Sequence, residues 1–226
     1  MAVAADGAEL RQVLQSERPN RSDLFVQRFV EGDLMAVITL SDASGRVVYS
    51  AHQLAGHTYP STAGVSARAE IVRNDHRLDG KVARFLEELG WQGLMELQFI
   101  LTPEGEHFLV DLNGRFYGSM QLVIAAEANL PNAWAHLATG GELPPLPPAR
   151  PGTRYQWLEG DVRRALEDGG RGEVVSCLRY AFGATHSIVS WRDPRPAGSF
   201  TWRYLTRRTK RKIGIGTEST APDESL

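Results

Sequence analysis

Cysteine is almost absent: Cys177 is the single one in 226 residues, so an internal disulfide is excluded and stability must come from packing. Lysine is nearly as scarce. Only Lys81, Lys210 and Lys212 occur, and arginine supplies almost all of the 25 basic residues. No apolar run is long enough to span a bilayer and no apolar N-terminal segment is present, so a cytoplasmic protein without membrane association is the expectation. The formal net charge of -2 lacks the excess of one sign that bulk nucleic-acid binding needs, which removes nucleic acid from the expected partners.

At 42% hydrophobic, the chain can bury a sizeable core. Its most informative stretch is Gly93-Leu-Met-Glu-Leu-Gln98-Phe99 followed by Phe108-Leu-Val-Asp111-Leu-Asn113-Gly-Arg115. Residues two apart on a strand share a face, so Glu96 points with Gln98 and Asp111 with Asn113, while the residues between them are apolar. Thr102-Pro-Glu-Gly105 is turn chemistry, which predicts an antiparallel hairpin over residues 94–101 and 106–113 with the polar faces side by side. Such a face is ordinarily just solvated. It is also a set of hard oxygen ligands, and these suit Mg²⁺.

The pattern Gly-Leu-Met-x-x-Gln-Phe, then Leu-Val-Asp-x-Asn-x-Arg, resembles the metal-binding strand pair of the ATP-grasp superfamily. It is similar above all to the ATP-grasp halves of the carbamoyl phosphate synthetase large subunit. The resemblance implies ATP and Mg²⁺ as cofactors. Gln98, Asp111 and Asn113 would be the metal ligands, with Glu96 as the alternative first-strand ligand, and Arg115 would meet the transferring phosphate. Two positions depart from the family pattern: Asp111 stands where most members carry Glu, and Gln98 where many ligases carry an acid.

Leu24-Phe-Val-Gln27-Arg28-Phe29-Val30-Glu-Gly32-Asp33 is similar to the family's hinge strand. By that match Gln27, Arg28, Phe29 and Val30 would line the adenine and Asp33 would accept from the ribose. His57-Thr-Tyr59-Pro-Ser-Thr-Ala-Gly64-Val-Ser66 resembles the substrate-covering loop of predicted carboxylate-amine ligases in the superfamily, with Ser, Thr and His donors suited to an anion. Residues 118–131 match the family's Gly-Ser helix and the Leu-Pro turn after it. The resemblance covers residues 25–141.

The family's partner lobe carries lysines that hold the α and β phosphates. Here Lys81 falls in residues 78–89, an amphipathic run that reads as a surface helix, and the other two lie in a basic stretch at residues 203–212. Residues 3–14 resemble the helix that follows the family's Lys-bearing strand. The expectation is therefore the C-terminal part of an ATP-grasp protein, truncated or complemented by a separate chain.

A Pro-rich connector at residues 141–151 separates this part from an extension in which residues 155–166 read as a strand or turn running into a helix, and residues 190–196 as a Pro-stiffened segment. Residues 217–226 read as a disordered tail. The expected fold is α+β: an ATP-grasp C-terminal lobe over residues 1–141, with an antiparallel sheet and packed helices near 78–89 and 119–128, then a mostly helical extension over 142–216. The implied activity is ADP-forming ligation of a small-molecule carboxylate and an amine. The alternative is a non-catalytic remnant that binds a nucleotide or a partner.

Overall fold

Residues 3–16, 25–61, 64–186 and the single positions 193, 195 and 199 are described in the computed structural model. The chain divides into two compact units, Met1–Ser187 and Ile188–Leu226. In the first unit, runs of alternating or continuous apolar residues pair into one sheet. It is built from β1 (Asp33–Ser41), β2 (Val47–Tyr59), β3 (Val65–Val72), β4 (Gly93–Leu101), β5 (His107–Asn113), β6 (Arg154–Gln156) and β7 (Ala184–His186). Their order across the sheet is β5-β4-β1-β2-β3-β6-β7. Every pairing is antiparallel except β6 with β7.

The strand period of two sorts the core into layers. Met35 and Val37 of β1 with Met95, Leu97 and Phe99 of β4 face helix α2 (His76–Leu89), whose Leu78, Val82 and Leu86 lie one turn apart on its buried side. On the other face, Ile38, Leu40, Tyr49, Ala51 and Leu94 pack against α3 (Met120–Ala125) and α4 (Leu130–Ala138). Helix α2 starts two residues before the amphipathic run at 78–89, where Asp75 caps it by accepting from the Arg77 N–H. It is pinned to β2 by fully buried His52, whose Nε2 lies 2.8 Å from Asp79 Oδ1 while Nδ1 accepts from the Asp75 N–H. The sequence 129–131 does not close a helix; Asn129 caps α4 by accepting from the Asn132 N–H, with Pro131 in its first turn.

The Pro-rich connector runs back along the sheet, with the Arg150 N–H donating to the Ala126 carbonyl and the Gly152 N–H to the Ile71 carbonyl. The residues beyond it add β6 to β3 and then form α5 (Leu158–Arg164), a π-helical turn (Ala165–Gly169) and α6 (Gly170–Ala181). A short helix α1 (Gly7–Ser16) precedes the sheet, its N-terminus capped by Asp6.

One expected strand differs. Residues 25–31 are not in a strand, because no strand among the described residues offers them a hydrogen-bonding ladder. Phe25 and Phe29 are consequently 81% and 58% exposed. The sheet begins only after Gly32, where the chain passes so close to β4 that a Cβ would lie 2.3 Å from the Leu101 carbonyl oxygen. The basic stretch 203–212 and the tail 217–226 lie outside the described residues, as does most of 190–196. No helix among the described residues is long and apolar enough to cross a membrane.

Candidate functional site

The hairpin forms as its alternation predicts. β4 and β5 are antiparallel, with Glu96 opposite Asn113 and Gln98 opposite Asp111. The register then shifts, so that Phe99 pairs with Leu109 and Val110 is the extra residue of a bulge. The Thr102–Gly105 turn closes through the Gly105 N–H to the Thr102 carbonyl. Glu96, Gln98, Asp111 and Asn113 therefore share the face that carries α3 and α4, on the side opposite α2.

These four side chains meet. The Glu96 carboxylate, 3% exposed, accepts at Oε2 from Gln98 Nε2 and from Asn113 Nδ2, each at 3.1 Å. Asn113 Nδ2 also donates to Asp111 Oδ2 at 3.0 Å, and Asp111 stands at the exposed margin. Burial pushes the Glu96 carboxyl above its ordinary range, an effect that the two amide hydrogen bonds and the charge of Arg115 only partly offset and that the Asp111 carboxylate reinforces. The cluster thus places Glu96 at its centre and Gln98 beside it.

Arg115 is exposed, with Nη1 donating to the Phe116 carbonyl. It follows Gly114, over which the Trp91 ring closes so tightly that a Cβ would lie 2.4 Å from Cη2. Only glycine lets the backbone turn between Asn113 and Arg115 beneath that ring.

Two neighbours escaped the sequence reading. Gln53 of β2 lies on the same face, in the row that runs through Ala36 to Gln98, and exchanges hydrogen bonds of 2.9 and 3.1 Å with Ser119 at the head of α3. That buried pair anchors the loop bearing Arg115. Tyr117, from the same loop, buries a hydroxyl that has no partner, and burial followed by the nearby Glu96 charge drives its pKa well above the ordinary phenol range. The only signal in the sequence was that residues 117 and 119 follow the Asn-Gly-Arg motif closely.

Gln27, Arg28 and Phe29 are exposed and Val30 is half-buried. Asp33 opens β1 opposite Leu101, three residues from the Ala36–Gln98 rung, or about 10 Å along the strand. Lys81, the only lysine among the described residues, is exposed on α2, across the sheet from the cluster.

The stretch 57–66, expected as a loop, is largely the paired ends of β2 and β3, with residues 57–59 in β2 and 65–66 in β3, because the two strands stay paired up to Tyr59 and Val65. Its donors already have partners: His57 faces Asp161, and the Tyr59 and Ser61 hydroxyls donate to Glu167 and Asp168.

Among the described residues no group of three or more His, Cys, Asp or Glu side chains is arranged to hold a metal. The hairpin cluster instead combines two acids with two amides. All four offer oxygen, since an amide turned about its last torsion presents its carbonyl where its NH₂ stood. A desolvated carboxylate whose charge is offset only in part, flanked by two amides that can turn their oxygens and by a carboxylate at the exposed margin, fits a small hard cation.

Residues 21–161, well over half the chain, match the family described as ATP-grasp in the biosynthetic pathway with Ter operon. The biotin carboxylase domain of a single-chain bacterial carboxylase matches with a TM-score of 0.53 at 15% identity, over 68% of this chain and 37% of that one. The phosphoribosylaminoimidazole carboxylase ATPase subunit from Aquifex aeolicus gives 0.46 at 15% identity, over 57% and 38%. The 2-oxoglutarate carboxylase biotin carboxylase domain of Hydrogenobacter thermophilus, solved with MgADP, ADP and bicarbonate, gives 0.46 at 12% identity, over 57% and 30%. At such identity the first likeness bears on fold alone, and the chain spans little more than a third of that protein's length. No curated protein matches the chain.

Proposed function

This chain belongs to the ATP-grasp family of the biosynthetic pathway with Ter operon, and from that membership we propose that its open sheet face is the metal- and phosphate-facing wall of an ADP-forming ligase. In such a reaction a substrate carboxylate oxygen attacks the γ-phosphorus of ATP and ADP leaves. An amine then attacks the acyl phosphate, an amide bond forms and inorganic phosphate departs with the proton balance completed by solvent.

The observation that carries this reading is the buried Glu96 carboxylate, ringed by Gln98, Asp111 and Asn113 and left with a raised pKa. Glu96, Asp111 and the two amide oxygens would hold Mg²⁺, which when bound supplies positive charge against the ATP phosphates. Arg115 would place its guanidinium fork against the transferring phosphoryl group, where fixed positive charge counts most. Gln27 to Val30 would offer backbone groups to adenine and Asp33 its carboxylate to the ribose. Lysines for the α and β phosphates would come from a further lobe or a separate chain, since Lys81 faces the wrong way.

That last observation also favours a second reading, a non-catalytic module that binds a nucleotide or a partner without turnover. Three measurements test the readings, and the last separates them. Mn²⁺ added to the chain should broaden the side-chain amide resonances of Gln98 and Asn113 before any others, and broadening centred elsewhere would remove the metal site. The isolated chain should bind Mg-ATP weakly, because each missing charge-assisted contact is worth roughly 1.5–3 kcal/mol. In the presence of a lysine-bearing lobe, turnover with amide formation supports the ligase, and tight nucleotide binding without turnover supports the module.

A further inference from the structure

Three side chains at the end of β2 and in the turn just after it meet three carboxylates of one downstream segment in matching order. His57 Nδ1 lies 3.4 Å from Asp161 Oδ1, the Tyr59 hydroxyl donates to Glu167 Oε1 at 2.9 Å, and the Ser61 hydroxyl donates to Asp168 Oδ2. Arg68, the ladder partner of His57, donates from Nε to Asp161 Oδ2 at 2.6 Å. It is 7% exposed, and its Nη2 is buried without a partner. A strip of donors, one of them cationic and not fully used, is therefore filled by acids of the same chain.

The three acids are not held alike. Asp161 is fully buried; besides Arg68 it accepts from Gln156 Nε2 at 2.6 Å and from Arg164 Nε at 3.4 Å. It is a fixed part of the packing between α5 and the sheet. Glu167 and Asp168 are exposed and ride on the π-helical turn, which ends at Gly169 and Gly170, the latter at φ 70°. A π-turn is a rare insertion in a helix, frequent at functional sites, and this one passes into α6 through two successive glycines that carry no side chain to fix the backbone. The Asp161 contacts are buried, whereas Glu167 and Asp168 reach Tyr59 and Ser61 from the exposed side of the segment.

We propose that Glu167 and Asp168 form an internal plug, occupying the Tyr59 and Ser61 hydroxyls so that a small carboxylate ligand binds this strip only by displacing them. The plug makes the binding-competent state a minority, and apparent affinity falls by the competent fraction. The choice of a carboxylate as the incoming ligand rests on the ligase reading; the self-occupied strip does not.

The test uses the full chain with succinate as the probe, without ATP or Mg²⁺, so that it can fail while the metal site stands and the reverse. By calorimetry, the Glu167→Gln, Asp168→Asn double variant should bind succinate at least tenfold tighter than the unaltered chain, and adding Tyr59→Phe with Ser61→Ala should abolish the gain. Amide hydrogen exchange over 57–61 should rise in the double variant and fall again with succinate. Equal succinate affinities, a gain that survives loss of the two hydroxyls, unchanged exchange, or a gain for inorganic phosphate and not for succinate would each overturn the proposal.

Discussion

Glu96→Gln puts the central claim under direct test. The carboxylate is almost wholly buried and takes two amide hydrogen bonds, each worth about 1.5–3 kcal/mol to a charged acceptor against about 1 kcal/mol to a neutral one. The substitution therefore forfeits about 1–4 kcal/mol of hydrogen bonding. It also relieves the cost of a buried charge, several kcal/mol for an ion. The raised pKa shows that burial outweighs the hydrogen bonds. Because the folded value lies above the ordinary 4.5, the folded chain holds this proton more tightly than the unfolded one. The resulting stability is complete below pH 4.5 and is lost as pH rises through the folded value.

Urea unfolding from pH 4.5 to 8.5 should accordingly show the unaltered protein losing ground to Glu96→Gln as pH rises. Mg²⁺ should reverse this. At ten times its Kd it adds about 1.4 kcal/mol to the unaltered protein and nothing comparable to the variant. Parallel pH curves, or an equal gain with Mg²⁺, would refute the reasoning that makes Glu96 the strained centre of a cation site.

Asp161→Asn leaves Arg68 buried without its counter-charge and should cost about 3–5 kcal/mol, a fall in Tm of about 6–20 °C by calorimetry; a loss below 2 °C would mean that solvent reaches the guanidinium. Gly114→Ala must push the Trp91 ring off the turn, and should cost about 1–3 kcal/mol while weakening the Mn²⁺ broadening at Asn113. In an assembly that turns over, Asp111→Asn should cut phosphoryl transfer by about 10²-fold or more while Tm holds, since Asp111 is exposed and its loss leaves the core untouched. Transfer within twofold of the unaltered assembly would return the hairpin face to simple solvation.

The hairpin and its polar face were legible because strand alternation is a local property, fixed by residues two apart. The same was true of α2, whose apolar spacing lies within one stretch. Depth was not legible. Alternation put Glu96 and Gln98 on one side, but which of them sits at the centre depends on the Val110 bulge and on how Asn113 leans across the ladder. Nor did Gln53 stand out, since its partner Ser119 is 66 positions away, or Arg68, whose partner Asp161 is 93 away. Residues 25–31 misled because a strand-like composition forms a strand only where another strand supplies hydrogen bonds.

The order β5-β4-β1-β2-β3 carries a consequence for how the molecule assembles. β1, β2 and β3 are successive hairpins that can zip from their turns, and β4 with β5 is another, each closing a short loop on the scale of microseconds. Joining the two pieces is different: β4 must find β1 across the whole intervening meander and α2, and the entropy of closing that loop falls due before any contact repays it. Glu96 and Asn113 can meet within their own hairpin early. Their burial against β1, and so the raised proton affinity of Glu96, should arrive only with this docking step, which ties the protonation of one side chain to the joining of the two pieces.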